Sequence, residues 1–185
     1  MNQPAVSGDR GEIPAAVQDI LLDEATILKR VGELARQISA DYEGRELVVV
    51  GVLTGAFMFA SDLVRRLSLP VSIDFIAISR YDPRPETGEV RIIKDLSDDI
   101  QGKEVLLIED IVDTGLSLNY LIEILSARGP ASIAICSLLD RSDLRLANIP
   151  LNYVGFNVTH EFLIGYGLDY RESYRNLPFV ATMNL

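Results

Sequence analysis

The chain has 185 residues, 48% of them hydrophobic and 24% charged, with a net charge of -10, one cysteine and one histidine. That length suits one well-buried domain, and the negative charge argues against a surface built to hold nucleic-acid backbone. The lone cysteine excludes an internal disulfide framework and suits a reducing cytoplasm. With His160 the only histidine, an all-His zinc site is excluded and a Ser-His-Asp triad would have to use that residue. No apolar run approaches the roughly 18 residues that a bilayer crossing needs, and Asp9, Arg10, Glu12 and Asp19 leave no signal-peptide core near the start.

In chain order, residues 1–20 mix Pro, Gly and charge and read as a loose arm. Asp23 is placed to cap a helix running to about Tyr42, with Ile27, Leu28, Val31, Leu34, Ala35 and Ile38 on one face. Residues 46–53 are a continuous apolar run, the mark of a strand buried on both faces. A Thr54-Gly55 turn and a helix over 56–67 follow, then a strand over 71–78. Residues 79–88 hold Pro83, Pro85 and Gly88 among charges and read as an exposed loop. Strands are expected over 89–96, 105–108, 131–139, 153–158 and 162–164, a turn at 101–103, and a helix over 116–127. Cys136 sits in an apolar run and reads as a buried small hydrophobe rather than a nucleophile. Apolar strands alternating with amphipathic helices mean an α/β domain with a mainly parallel sheet flanked by helices. Ligands in such sheets sit beyond the carboxyl ends of the strands.

The informative stretch runs from Val105 to Leu118. An apolar strand ends in Glu109 and Asp110, a loop carries Asp113, Thr114 and Gly115, and a helix opens with Leu116 and Ser117. A helix N-terminus leaves amides unpaired and partly positive, which suits a phosphate. Gly115 lets the backbone approach that phosphate, and Thr114 and Ser117 add hydroxyl donors. Glu109 and Asp110 can accept hydrogen bonds from a ribose diol or hold magnesium, and Asp113 lies where a proton could be exchanged. The plain structural alternative is that Asp113, Thr114 and Ser117 only cap a helix. The string is neither a G-x-x-x-x-G-K-[ST] loop nor a G-x-G-x-x-G loop.

The full strand-E-D-x-x-D-T-G-x-S-helix string resembles the phosphoribosyl diphosphate motif of the type I phosphoribosyltransferases. Its E-D-I-V-D-T-G wording resembles the hypoxanthine-guanine branch. Further landmarks keep the same order: Leu53-Thr54-Gly55-Ala56, Lys94-Asp95-Leu96, Gly102-Lys103, Leu138-Leu139-Asp140-Arg141, Val154-Gly155-Phe156, the segment 161–170, and Arg175. The resemblance implies a core over about 45–140 and a small hood from about 21–44 and 150–185, together one domain over 21–185. It implies that Glu109 and Asp110 bind the ribose hydroxyls and magnesium, and that Asp169 holds a second magnesium. Residues 113–117 (Asp113, Thr114, Gly115, Leu116, Ser117) would cradle the 5'-phosphate, with Asp113 as general base. Thr54 and Gly55 would donate backbone N–H groups to pyrophosphate, and Arg175 would add charge there. Phe162 and Ile111 would sandwich the purine, the Leu163 carbonyl would face its edge, and Arg141 would meet its O6. Tyr81 would cover the reacting centre from a lid over 79–90.

Three positions depart from the family pattern: Arg141 stands where lysine is usual, Arg80-Tyr81 where Ser-Tyr is common, and His160 where aspartate is frequent. The implied activity is transfer of the 5-phosphoribosyl group from phosphoribosyl diphosphate to hypoxanthine, guanine or xanthine, in the cytoplasm, by a homodimer or homotetramer that engages neither nucleic acid nor membrane. The alternatives are a non-catalytic nucleotide-binding regulator on the same fold and a transferase with altered base choice.

Overall fold

The computed structural model describes residues 17–79, 91–159 and 162–183. Arg80, Tyr81, the remainder of the expected lid up to residue 90, and His160 lie outside the described residues.

The first strand, β1, is Val17–Leu22. The sequence reading carried a loose arm to about residue 20; instead Val17 already pairs with Met183 and Ile20 with Ala181 of a strand at the far end of the chain. Helix α1 is Glu24–Asp41, and Asp23 caps it as expected, its Oδ1 accepting from the Thr26 N–H at 2.8 Å. A cap contributes about 1 kcal/mol. Ile27, Val31, Leu34, Ala35 and Ile38 are at most 1% exposed, and the larger apolar side chains each contribute roughly 1.5–3 kcal/mol on burial. Burial therefore holds the helix, and the cap fixes where it starts.

Next come β2 (Leu47–Leu53), α2 (Phe57–Val64), β3 (Val71–Ile78), β4 (Ile92–Lys94), β5 (Glu104–Val112), α3 (Leu116–Ser126), β6 (Ser132–Asp140) and β7 (Tyr153–Asn157). They form a six-stranded sheet in the order β4-β3-β2-β5-β6-β7, parallel except for the β3–β4 pair. Alternate side chains of each buried strand face opposite layers. Leu47, Val49, Leu106, Ile108, Ala134 and Cys136 pack with α1 and α2. Val48, Val50, Val105, Leu107 and Ile135 pack with Leu118, Leu121 and Leu125 of α3. Helix α1, assigned to the hood from sequence, thus covers the main sheet. The hood sheet consists of β1, β9 (Val180–Met183) and β8 (Leu163–Ile164), in the order β1-β9-β8. Phe162, expected inside that last strand, precedes it. Cys136 is fully buried, and burial pushes its thiol far up, which fits the packing role.

The sheet order places a topological switch between β2 and β5. From β2 the chain turns through α2 to β3 on one side, and from β5 it turns through α3 to β6 on the other. Pairing of β2 with β5 ends at Gly51 opposite Ile108, although β2 continues to Leu53 and β5 to Val112. Past that register the two carboxyl ends separate, and a crevice opens between them, where ligands of parallel sheets bind.

Candidate active site

Strand β5 runs further than its apolar residues suggested. Glu109 and Asp110 were expected to leave the strand end, yet the strand continues through them, with Glu109 opposite Ser137, Ile111 opposite Leu139 and Val112 opposite Asp140. The backbone hydrogen bonds of β6 hold this extension, so both carboxylates project from a rigid strand into the crevice. Glu109 is only 9% exposed. Burial, and secondarily the charge of Asp110, pushes its carboxyl well above the usual range. Burial pushes Asp110 up to about 6, against the Ile111 N–H on Oδ1 at 2.9 Å and the field of Arg175.

A cavity of about 680 Å³ occupies the crevice, and Thr54, Gly55, Glu109, Asp110, Ile111, Asp113, Thr114, Gly115, Ser117, Leu163, Asp169 and Arg175 all line it. The Thr54-Gly55 turn lies hard against β5: a Cβ on Gly55 would fall 1.7 Å from Asp110 Oδ2. From above, a Cβ on Gly167 would fall 2.0 Å from the Gly55 carbonyl oxygen. Two glycines thus bring the β2 turn, the β5 carboxylates and the hood loop to one point. Beyond it, Arg175 donates to the Gly167 carbonyl at 2.8 Å and pairs with Asp169 at 2.8 Å and Glu172 at 3.2 Å.

On the opposite wall, Gly115 is the N-cap of α3 with φ +78°, and no side chain caps the helix. The side-chain contact nearest to a cap is Thr114 Oγ1, 3.4 Å from the Leu116 nitrogen. Asp113 sits outside the cap position, with its carboxylate 3.3 Å from Arg141. The capping-only alternative therefore does not describe this loop. Helix amides and the Ser117 hydroxyl stand at the cavity wall, an arrangement suited to an anion.

Three expected residues stand apart from the cavity wall. Leu116 opens α3 without lining it. Phe162 is 38% exposed and meets Tyr170 edge-on, with centroids 5.6 Å apart. Arg141, 9% exposed, reaches Asp113, and its backbone N–H donates to the Val112 carbonyl at 3.0 Å. Two residues were missed. Glu172 lines the cavity; its only sequence signal was a charge close to Arg175. Arg145, whose Nε donates to the Asp113 carbonyl at 3.1 Å and which pairs with Asp140, gave no signal.

Among the described residues, no three His, Cys, Asp or Glu side chains gather closely enough to hold a metal by themselves. Magnesium commonly binds through one or two carboxylates, waters and substrate phosphates. Glu109 and Asp110, pushed toward protonation in a shared cavity, are a donor set that a divalent cation would relieve. The residues fit a magnesium shared with an anionic substrate.

The phosphoribosyl transferase domain family matches residues 17–171. The hypoxanthine-guanine phosphoribosyltransferase of Staphylococcus aureus is 47% identical over 168 residues, 90% of this chain and 94% of that one. The chain belongs to the hypoxanthine-guanine phosphoribosyltransferase family. The hypoxanthine phosphoribosyltransferase of Salmonella typhimurium is 45% identical over 170 residues, 90% of this chain and 96% of that one. A crystal structure of a Staphylococcus aureus hypoxanthine phosphoribosyltransferase superposes with a TM-score of 0.88 at 46% identity, covering 91% of this chain and 92% of that one. The type I phosphoribosyltransferase fold and the enzyme class expected from sequence are thereby borne out. No helix among the described residues is long and apolar enough to cross a membrane.

Proposed function

We propose that this phosphoribosyltransferase joins a 6-oxopurine (hypoxanthine, guanine or, by the same chemistry, xanthine) to the ribose of phosphoribosyl diphosphate, releasing pyrophosphate. The observation that carries the reading is one cavity at the β2–β5 switch point that gathers an open helix N-terminus, two buried carboxylates and an anchored arginine. On this reading the amides and hydroxyls of residues 114–117 hold the 5'-phosphate. Glu109 and Asp110 hold the ribose hydroxyls and tolerate the positive charge that develops on the sugar ring. The Thr54-Gly55 amides and Arg175 hold the departing pyrophosphate, acting as fixed dipoles and charge that need little reorganisation. Asp113 takes the proton from N7 as N9 bonds to C1 of ribose and the C1–O bond to pyrophosphate breaks.

Glu109 and Asp110 would hold one magnesium and Asp169 a second, and the metal would supply Lewis-acid neutralisation of the pyrophosphate. Asp169 is paired with Arg175 at 2.8 Å in this structure. Ile111 and Leu163 line the cavity where the base would sit, and Phe162 is assigned to the purine's other face. Arg141 carries only donors, so it accepts a 6-oxo group and opposes a 6-amino group. Assembly as a homodimer or homotetramer and a cytoplasmic location belong to the same reading.

The test is product formation: incubation with phosphoribosyl diphosphate, magnesium and each purine in turn. Nucleotide should form from hypoxanthine and guanine and not from adenine. Failure with every base would support the non-catalytic alternative, and efficient use of adenine would overturn the base assignment.

A further inference from the structure

The phosphate-facing loop is oriented from behind. Its Asp113 carbonyl accepts from Arg145 Nε at 3.1 Å, and its Thr114 carbonyl accepts from the backbone N–H groups of Leu146 and Ala147 at 2.9 and 3.0 Å. In a trans peptide the carbonyl and the following N–H point in opposite directions. With both carbonyls drawn toward residues 145–147, the N–H groups of Thr114 and Gly115 must point the other way. That is the side on which Thr114, Gly115 and Ser117 line the cavity. Two loop amides and the open end of α3 then make one concave, partly positive cradle of the kind that holds anions.

Arg145 is the side chain that fixes this orientation. Its guanidinium spans two anchors: Nε holds the Asp113 carbonyl, and a terminal nitrogen pairs with the Asp140 carboxylate at the end of β6. The two side chains are 16% and 13% exposed. The stem packs beneath the loop as well, since a Cβ on Gly115 would lie 3.1 Å from Arg145 Cδ. Because Asp140 is held in register opposite Val112 of β5, the clamp ties the loop to β6, the strand whose pairing holds the carboxylate-bearing end of β5. A planar fork can bridge a carbonyl and a carboxylate at once, whereas a lysine ammonium is a point charge.

We propose that Arg145 is a positioning residue for 5'-phosphate recognition. It touches no substrate and acts by aiming the Thr114 and Gly115 amides. The inference rests on the phosphoribosyl transfer proposed above and deepens its account of the phosphate subsite.

The experiment compares the full-length protein with Arg145→Lys and Arg145→Met. Steady-state KM is measured separately for phosphoribosyl diphosphate and for hypoxanthine, and calorimetry measures the affinity for IMP and for inosine, which lacks the phosphate. Both variants should raise KM for phosphoribosyl diphosphate roughly 10- to 100-fold, the scale of a misplaced binding group, with KM for hypoxanthine little changed. Affinity for IMP should fall by a similar factor while that for inosine holds. Asp140→Asn, which keeps the shape and removes the charge, should give the same split at smaller size and serves if the Arg145 variants fail to fold. An unchanged KM for phosphoribosyl diphosphate in a folded variant, or a parallel rise for both substrates, overturns the inference. A wild-type protein that forms no nucleotide would instead refute the transferase reading.

Discussion

Residues 109–117 build one wall of the crevice from a single stretch of chain, whereas the facing wall draws Thr54 and Gly55 from the end of β2, Leu163 from β8, and Asp169 and Arg175 from the loop that follows. The first wall is regular: a strand, one left-handed glycine and a helix. The second is not. Tyr166, Arg171, Glu172 and Tyr174 all have positive φ, a conformation that non-glycine residues rarely adopt and that surrounding contacts must hold. Tyr166 is tied down by its hydroxyl, which donates to Asp62 of α2 at 2.7 Å, and Arg175 by the Gly167 carbonyl. A contiguous wall arrives preformed with the core, while a wall assembled from distant segments depends on tertiary contacts and on its ligands.

This contrast can be broken first where both walls meet. Carboxylates from each wall surround a polyanionic substrate, and like charges at close range repel. Removing divalent metal with excess chelator should abolish nucleotide formation, and magnesium should restore it. Full activity in chelator would mean that the two walls do not share a cation.

Within the contiguous wall, Asp113→Asn should keep nucleotide binding and lose roughly 10- to 10,000-fold in turnover, the range of general-base effects. If Asp113 served only as the partner of Arg141, the change would instead cost at most about 1 kcal/mol of stability, the scale of a partly exposed ion pair, and leave turnover intact. Turnover equal to wild type would remove Asp113 from proton transfer.

A smaller effect is expected at Arg141, which stands behind the contiguous wall and pairs with Asp113. Losing a donor opposite the purine O6 leaves a buried acceptor unsatisfied, worth about 1–3 kcal/mol. Arg141→Ala should therefore raise KM for 6-oxopurines well above any change in KM for phosphoribosyl diphosphate, the reverse of the split expected at Arg145. Unaltered purine kinetics in this variant would reduce Arg141 to a partner of Asp113.

The mildest perturbation is pH. Asp110 is raised from its usual 3.8 to about 6 by burial. Such a group binds its proton more tightly when folded, so its contribution to stability is present below the unfolded value and is lost as pH rises through about 6. Glu109, also raised, acts with the same sign. Without metal, the melting temperature of wild type should therefore decline across roughly pH 4 to 6 relative to that of Asp110→Asn. The two curves should converge at the low end. Parallel curves would show that Asp110 is not held in a proton-favouring site.

The sequence by itself determined the contiguous part of this protein. The apolar runs at β2, β5 and β6, the 3.6-residue spacing of α1, the Asp23 cap and the order of Glu109, Asp110, Asp113, Thr114 and Gly115 are local patterns, set by neighbours a few residues away. They sufficed for the parallel sheet and the family, and for naming many of the residues that line the crevice. Only the tertiary structure decided the rest. Strands β1 and β9 are short, and each is stabilised by the other from the opposite end of the chain, so neither carries a strong pattern of its own. The extension of β5 through Glu109 to Val112 depends on pairing with β6, against the polar character of its residues. The approach of Gly167 to Gly55 and of Gly55 to Asp110, the ion pair of Arg141 with Asp113 and the clamp of Arg145 beneath the loop join residues far apart in sequence. Contacts of that kind leave no periodicity to read, because their geometry exists only once the sheet has set the distance between its strands.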